Sequence, residues 1–301
     1  MPPVQANDQP TPRQGETSGT HPAPSVVAAA WKPWASLLVA PVVIGSVSAV
    51  APHVDLAPFA VDFLTFAGAC ITSLGAITLL SRAPLEGKAR IAASLAAAAT
   101  LAVVALLHAR SALAVVAVAT ALVALAHTVG DFIGSHIEHP GHILPACVVA
   151  SCIDVTSALH PSGPTHAVIA SPKALAILAV SFPVISTSQH APVIGIGDLL
   201  FVSLLLGTAR THGIRWWKVA LAALVGVALA GAASATLQEV APNLPAAVPA
   251  LPAIGLATVV GVRPMRILRP KDRRVAWIFI VGAVLLAAIT LASRFLLAPR
   301  A

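Results

Sequence analysis

Tyrosine is missing from the 301-residue chain, methionine occurs only twice, and Asp, Glu, Lys and Arg together make up 10% of it. An ordinary soluble domain carries about 25% charge. With 57% hydrophobic residues and a mean hydropathy of +0.89, this chain lacks the polar residues to cover its apolar surface in water. The three cysteines, Cys70, Cys147 and Cys152, are odd in number, lie in apolar runs and have no paired spacing. That excludes a disulfide framework and a thiolate zinc site.

Apolar runs fill the rest of the sequence, with the roughly 17 to 25 residues that a helix needs to cross about 30 Å of hydrocarbon. Such runs fall at about 35–51, 59–80, 91–108, 112–129, 143–159, 193–209, 217–237, 246–262 and 275–297. The expectation is an all-α polytopic membrane protein with about nine transmembrane helices. Residues 1–30, rich in Pro, Gln, Thr, Ser and Gly, read as a disordered polar tail. Ala49-Val50-Ala51 has the small-residue form of a signal-peptidase site, but Pro52 would follow the cut, so the first helix is expected to be retained. Residues 174–185, interrupted by Pro183, are too short to span and suit a re-entrant or surface segment, or a short strand.

A net charge of +7 does not point to nucleic acid, because the basic residues cluster in short loops. With a cytoplasmic N-terminus, 14 of the 18 Lys and Arg fall on the inner side, among them Arg82, Lys88, Arg90, Arg210, Arg215, Lys218 and the six between Arg263 and Arg274. This follows the positive-inside rule. Merging the third and fourth runs would place nine of these outside, so the two are separate spans. Trp31, Trp34, Trp216 and Trp217 fall at span ends, where indole rings are favoured.

An aspartate at the centre of a membrane helix costs roughly 2.5 to 3.5 kcal/mol on insertion scales. Asp154 stands about five residues before the end of its run, and Asp198 stands at similar depth in the next, after Gly195-Ile196-Gly197. Those runs are antiparallel, so both carboxyls can lie at one level in the outer half of the membrane. Two carboxyls held together in low dielectric share a proton, the state in which one can activate water while the other polarises a carbonyl. The alternative is that each acid caps a helix or pairs with a buried polar group. Asp62, alone near the outer end of the second run, reads as structural.

Gly195-Ile196-Gly197-Asp198, Asp154 in the preceding run, and Pro249-Ala250-Leu251-Pro252 two runs later resemble, in the same order, the motifs of the GxGD intramembrane aspartyl proteases of the presenilin and signal peptide peptidase family. The resemblance covers residues 143–262. It implies a presenilin-like or signal-peptide-peptidase-like catalytic half, with Asp154 and Asp198 as the catalytic pair. Gly195, Gly197, Pro249, Ala250, Leu251 and Pro252 would shape the site, and residues 178–185 would hold an unwound substrate as a strand. Ile153 stands where that family usually has tyrosine. The organisation implied is a tail at 1–30, a four-helix region at 31–142, a catalytic core at 143–262, and a basic loop with an extra helix at 263–301. The loop between the aspartates falls outside the cytoplasm, as in signal peptide peptidase. The implied partners are transmembrane proteins or leftover signal peptides in the lipid bilayer of a bacterial inner membrane. No cofactor is implied.

Two other readings use the same residues. The type IV prepilin peptidases also join an earlier aspartate to GxGD, but their acids face the cytoplasm, a lysine usually follows GxGD where this chain has Leu199-Leu200-Phe201, and they lack the proline motif. A transporter or channel could relay ions through the paired acids. His127, Asp131, His136, Glu138, His139 and His142 crowd one connection. Without a His-Glu-x-x-His helix, and with Pro140-Gly141 marking a turn, this is expected to be a solvated loop rather than a metal site. His160 and His166, just beyond Asp154, are candidates to line the path of water.

Overall fold

The computed structural model describes residues 32–85, 87–107, 111–240 and 249–297. The expected polar tail, Trp31 and Arg110 lie outside them. In chain order the elements are α1 (Lys32–Leu37), α2 (Val39–Val50), α3 (Pro58–Arg82), α4 (Gly87–Leu107), α5 (Ala112–Ser135), α6 (Ile143–Leu159), α7 (Pro164–Ala170), α8 (Pro172–Leu178), β1 (Ala179–Pro183), β2 (His190–Gly195), α9 (Ile196–Thr211), α10 (Trp216–Val240), α11 (Leu251–Gly261) and α12 (Arg273–Leu297). Helix dominates for a physical reason. In hydrocarbon each backbone N–H and C=O must be paired within its own segment, and Ala, Leu and Val runs supply no competing partner. The ends are set locally. Ser111 Oγ accepts the Ala114 N–H (3.2 Å) and starts α5, while Gly213, at φ +64°, turns the chain after α9 as a left-handed glycine does.

Among the described residues, seven helices are long and apolar enough to cross a membrane, over Trp34–His53, Phe59–Arg82, Gly87–Leu107, Ala112–Ser135, Pro140–Leu159, Trp216–Leu237 and Pro270–Ser293. The chain is therefore a mostly helical, membrane-embedded protein. The expected sixth and eighth spans are shorter as helices, with 16 residues in α9 and 11 in α11.

The chain is mostly helical, as the all-α expectation requires, with one small hairpin beside the helices. β1 and β2 pair antiparallel, with Ala179 opposite Gly195 and a bulge after Val180. Residues 190–195, the first of which were read as the approach to a helix and the last as its start, are this second strand. The segment before it contains the short strand that its composition also suited, and every residue of β1 is buried. Pro183 is the reason a helix fails there, and Phe182, 2% exposed, fills the space left by Gly68 on α3, where a methyl group would come within 2.7 Å of its ring.

The helix ends sort onto two faces. On the first, Arg82 at the end of α3 lies over the Trp216 ring at the start of α10 (5.1 Å). The His212 Nε2–H after α9 donates to the Ile137 carbonyl after α5 (2.8 Å), and His142 before α6 meets Asp272 before α12 (3.1 Å). On the second, the Ser186 N–H in the hairpin turn donates to the Ala51 carbonyl after α2 (2.8 Å). His190 donates to Ser48 (3.1 Å), whose own hydroxyl proton goes to the Ile44 carbonyl.

Apolar contact alone gives helices little reason to associate in lipid, so close packing rests on small residues. The tightest pair is α5 with α9. Gly130 and Gly134, spaced G-x-x-x-G, admit the backbone of α9, so that a methyl at Gly130 would meet the Leu200 carbonyl and one at Gly134 the Leu204 carbonyl. Helix α11 is seated between α10 and α6 in the same way, at Gly226 against Ile254 and at Gly255 against Cys147.

Candidate functional site

Asp154 and Asp198 are carried by different parts of the bundle. Helix α6 packs on α11 and α12, whereas α9 packs on α5, α3 and α10. Both acids lie near the second face, Asp154 in the last turns of α6 and Asp198 as the third residue of α9. Both are half-buried. The Asp154 carboxyl is the charged group that acts on Asp198, so the fold brings the two acids within electrostatic reach of each other. They make no direct hydrogen bond.

The Asp154 carboxyl is anchored by backbone. The Leu251 N–H, the first of α11, donates to Asp154 Oδ2 (3.2 Å). A helix N-terminus leaves such N–H groups unpaired and carries partial positive charge, so a carboxylate there is doubly favoured. Asp198 lies in the first turn of its own helix, with Oδ2 3.5 Å from where a Cβ at Gly195 would stand. The capping role considered from sequence is thus real for Asp154. It does not use up the group: the buried side-chain polar atoms lacking a partner, among the described residues, are only Ser186 Oγ and Thr258 Oγ1, so Asp154 Oδ1 is not sealed in the interior.

The same bond brings the Pro249-Ala250-Leu251-Pro252 segment to the site. Leu251 and Pro252 form the first turn of α11 and Ala250 its N-cap, so a proline there costs no helical bond. The glycines before Asp198 are not explained by packing or by backbone. Gly195 has φ −72° and ψ 152°, a conformation open to any residue, and a methyl at Gly197 would meet nothing within 4 Å. A methyl at Gly195 would lie 3.5 Å from Asp198 Oδ2.

A second polar cluster escaped the sequence reading. Asp131 and His127, assigned there to a solvated loop, lie inside α5 and are each 1% exposed. Both Asp131 oxygens accept from Arg210 Nη2 (2.8 and 2.9 Å), and Arg90 Nη2 approaches Oδ2 (3.5 Å). Ser203 Oγ donates to the His127 carbonyl (3.2 Å) and lies 3.3 Å from its ring Nδ1. The G-x-x-x-G spacing at Gly130 and Gly134 was the signal that α5 runs on past residue 129 against another helix.

His136, Glu138, His139 and His142 do lie in or beside the connection after α5, and no group of three or more His, Cys, Asp or Glu able to hold a metal ion occurs among the described residues. His160 Nδ1 accepts from the Ser162 N–H (3.3 Å) in the turn after α6. Asp62 is exposed on α3 and Ile153 is 61% exposed on α6. Compared with protein-family profiles, curated proteins and solved structures, the chain matches none.

Proposed function

We propose that the chain is an intramembrane aspartyl protease of the GxGD type, hydrolysing peptide bonds in transmembrane segments or leftover signal peptides, with Asp154 and Asp198 activating water. The observation that carries the reading is the Leu251 N–H bond to Asp154 Oδ2 (3.2 Å). It joins two of the three motif elements that resemblance singled out from distant parts of the sequence, and Asp198 lies within electrostatic reach of the result. Open space at Gly197 suits the approach of a substrate backbone beside the acid. In this reading one carboxyl takes a proton from water, the other polarises the scissile carbonyl, and the two exchange roles as the amine leaves.

The β1–β2 hairpin directly precedes the Gly195–Asp198 motif, and β2 leads into it without a break. Extended backbone there supports the idea that an unwound substrate adds as a further strand. The reading counts nine crossings, with β2 extending α9, and it places the loop between the acids outside the cytoplasm.

The test uses the purified full chain in liposomes with a transmembrane reporter peptide. Asp154→Asn and Asp198→Asn should each lower cleavage by at least about 10²–10⁴-fold, the usual worth of a general acid or base, with an unchanged unfolding midpoint. Asparagine keeps an oxygen for the Leu251 N–H, so the cap at Asp154 survives while the proton chemistry is lost. Asp154→Ala should cost stability as well. Cleavage that persists in both asparagine variants overturns the proposal, and ion flux lost in those variants would point to transport.

A further inference from the structure

The connection between α11 and α12 contains a row of arginines that neither helix packing nor the acid pair uses. Val262, Met265 and Leu268 are buried (1%, 0% and 8% exposed), while Arg263, Arg266 and Arg269, each one position later, are exposed. Residues Arg263–Arg266 form a 3₁₀ turn, in which side chains three apart eclipse. The three buried side chains therefore fix the segment to the bundle, and the three guanidinium groups project from one side of it. Lys271, Arg273 and Arg274 follow. Among the described residues none of these six cations has an ion-pair partner, and the one acid of the segment, Asp272, is taken by His142 (3.1 Å).

Beside this row lies an open notch of about 300 Å³ lined by His139, Pro140, Arg263, Pro264 and Ile267. Its far wall is held close because Gly141, with no side chain, sits against the Ile267 carbonyl. The His139 Nδ1 accepts the Gly141 N–H (3.1 Å), which leaves Nε2 carrying the proton as a donor. Partial desolvation first, and then the neighbouring Arg269, His142 and His212, hold His139 below the ordinary histidine range, so an anion is the partner this corner lacks. Further along the chain, at the start of α12, Trp277, Ile278 and Phe279 are exposed (58%, 65% and 62%) just beyond the last arginine.

We propose that Arg263, Arg266, Arg269 and His139 form a binding site for the phosphate headgroup of an anionic phospholipid in the adjoining leaflet, with its acyl chains along the exposed face of α12. Guanidinium groups bind phosphate oxygens through paired N–H donors, and basic pockets beside transmembrane helices favour acidic lipid headgroups. Topogenic charge accounts for the sign of this segment but not for its fixed three-residue spacing or its apolar notch. The site adjoins the start of α6 through His139–His142 and the end of α11, the two helices joined at Asp154, so the lipid would brace that side of the bundle.

The experiment measures lipid retention by native mass spectrometry, and the unfolding midpoint, for the full chain in detergent with phosphatidylglycerol, phosphatidylcholine or inorganic phosphate. The parent should retain phosphatidylglycerol selectively and unfold at higher temperature in its presence. Arg263→Gln/Arg269→Gln should weaken that binding at least tenfold and each single variant about threefold. Arg215→Gln/Lys218→Gln, which removes equal charge from the same face, should change it less than twofold. Equal retention of phosphatidylcholine, equal losses in the two double variants, or reproduction of the stabilisation by inorganic phosphate alone would each overturn the proposal. Should the double variant unfold without lipid, the single variants decide.

Discussion

Replacing Asp131 by asparagine keeps the size of the side chain and removes its charge. In the folded chain both carboxylate oxygens accept from one nitrogen of Arg210 at 2.8 and 2.9 Å, and Arg90 stands 3.5 Å from Oδ2. Removing one member of a buried ion pair costs about 3–5 kcal/mol when the other is left dry. Here the Asp131 side chain is 1% exposed, but those of Arg210 and Arg90 are 33% and 20% exposed, so both guanidinium groups can turn partly to water. The 3.5 Å contact is too long to count as a full hydrogen bond. A chain unfolded in a micelle also finds other polar partners, which lowers the expected cost to about 2 kcal/mol, or roughly thirty-fold in the folding equilibrium. Arg210→Gln should cost less, about 1 kcal/mol, because Arg90 still faces the acid, and the double variant should fall short of the sum by about 1 kcal/mol. Equilibrium unfolding of the purified chain in mixed micelles, with sodium dodecyl sulfate as denaturant, reads all three. An Asp131→Asn variant within about 0.5 kcal/mol of the parent, the range of ordinary surface changes, would refute the account of this cluster.

Four further substitutions test separate statements. Gly134→Val places a side chain against the Leu204 carbonyl and the Thr208 N–H and should cost about 1–3 kcal/mol by overpacking, whereas a methyl at Gly75, which meets nothing within 4 Å, should stay within about 0.5 kcal/mol in the same unfolding assay. Ser186 has φ 69° and a buried hydroxyl without a partner. Ser186→Gly should therefore raise stability by roughly 1 kcal/mol, and a lowered midpoint would contradict the reading of that turn. Gly197→Ala should fold with an unchanged midpoint, since its new methyl lies in open space, yet cleave a transmembrane reporter at least tenfold more slowly if substrate backbone passes there; unchanged cleavage would remove this glycine from the site.

Membrane embedding was legible in the sequence because it follows from a single-segment property, apolar length. What was not legible depended on partners far along the chain. Nothing local to residues 190–195 distinguishes an apolar approach to a helix from a strand; that choice is made by β1, which Pro183 prevents from being helical and which needs a ladder partner once buried. Asp131 looked like loop because charge and histidine follow it closely, and only Arg210, 79 residues on, makes its burial possible. The Leu251 bond to Asp154 crosses 97 residues, and no spacing rule could supply it.

These pairings bear on why the acid pair is read as chemistry rather than support. Where this fold uses an acid for stability, it supplies a cation: Asp131 has Arg210 and Arg90, and Asp272 has His142. Asp154 and Asp198 have none among the described residues. Asp154 is held by a backbone N–H, and the charge acting on Asp198 is the other carboxyl. Two like charges in a half-buried site repel and lose hydration, so stability alone would favour an amide or hydroxyl at either position, which could serve the same N–H group without the penalty. A backbone N–H at a helix start fixes the position of a carboxyl and favours its ionised form less firmly than an arginine would. An acid kept in place but left free to gain and lose a proton is what proton transfer to and from water requires.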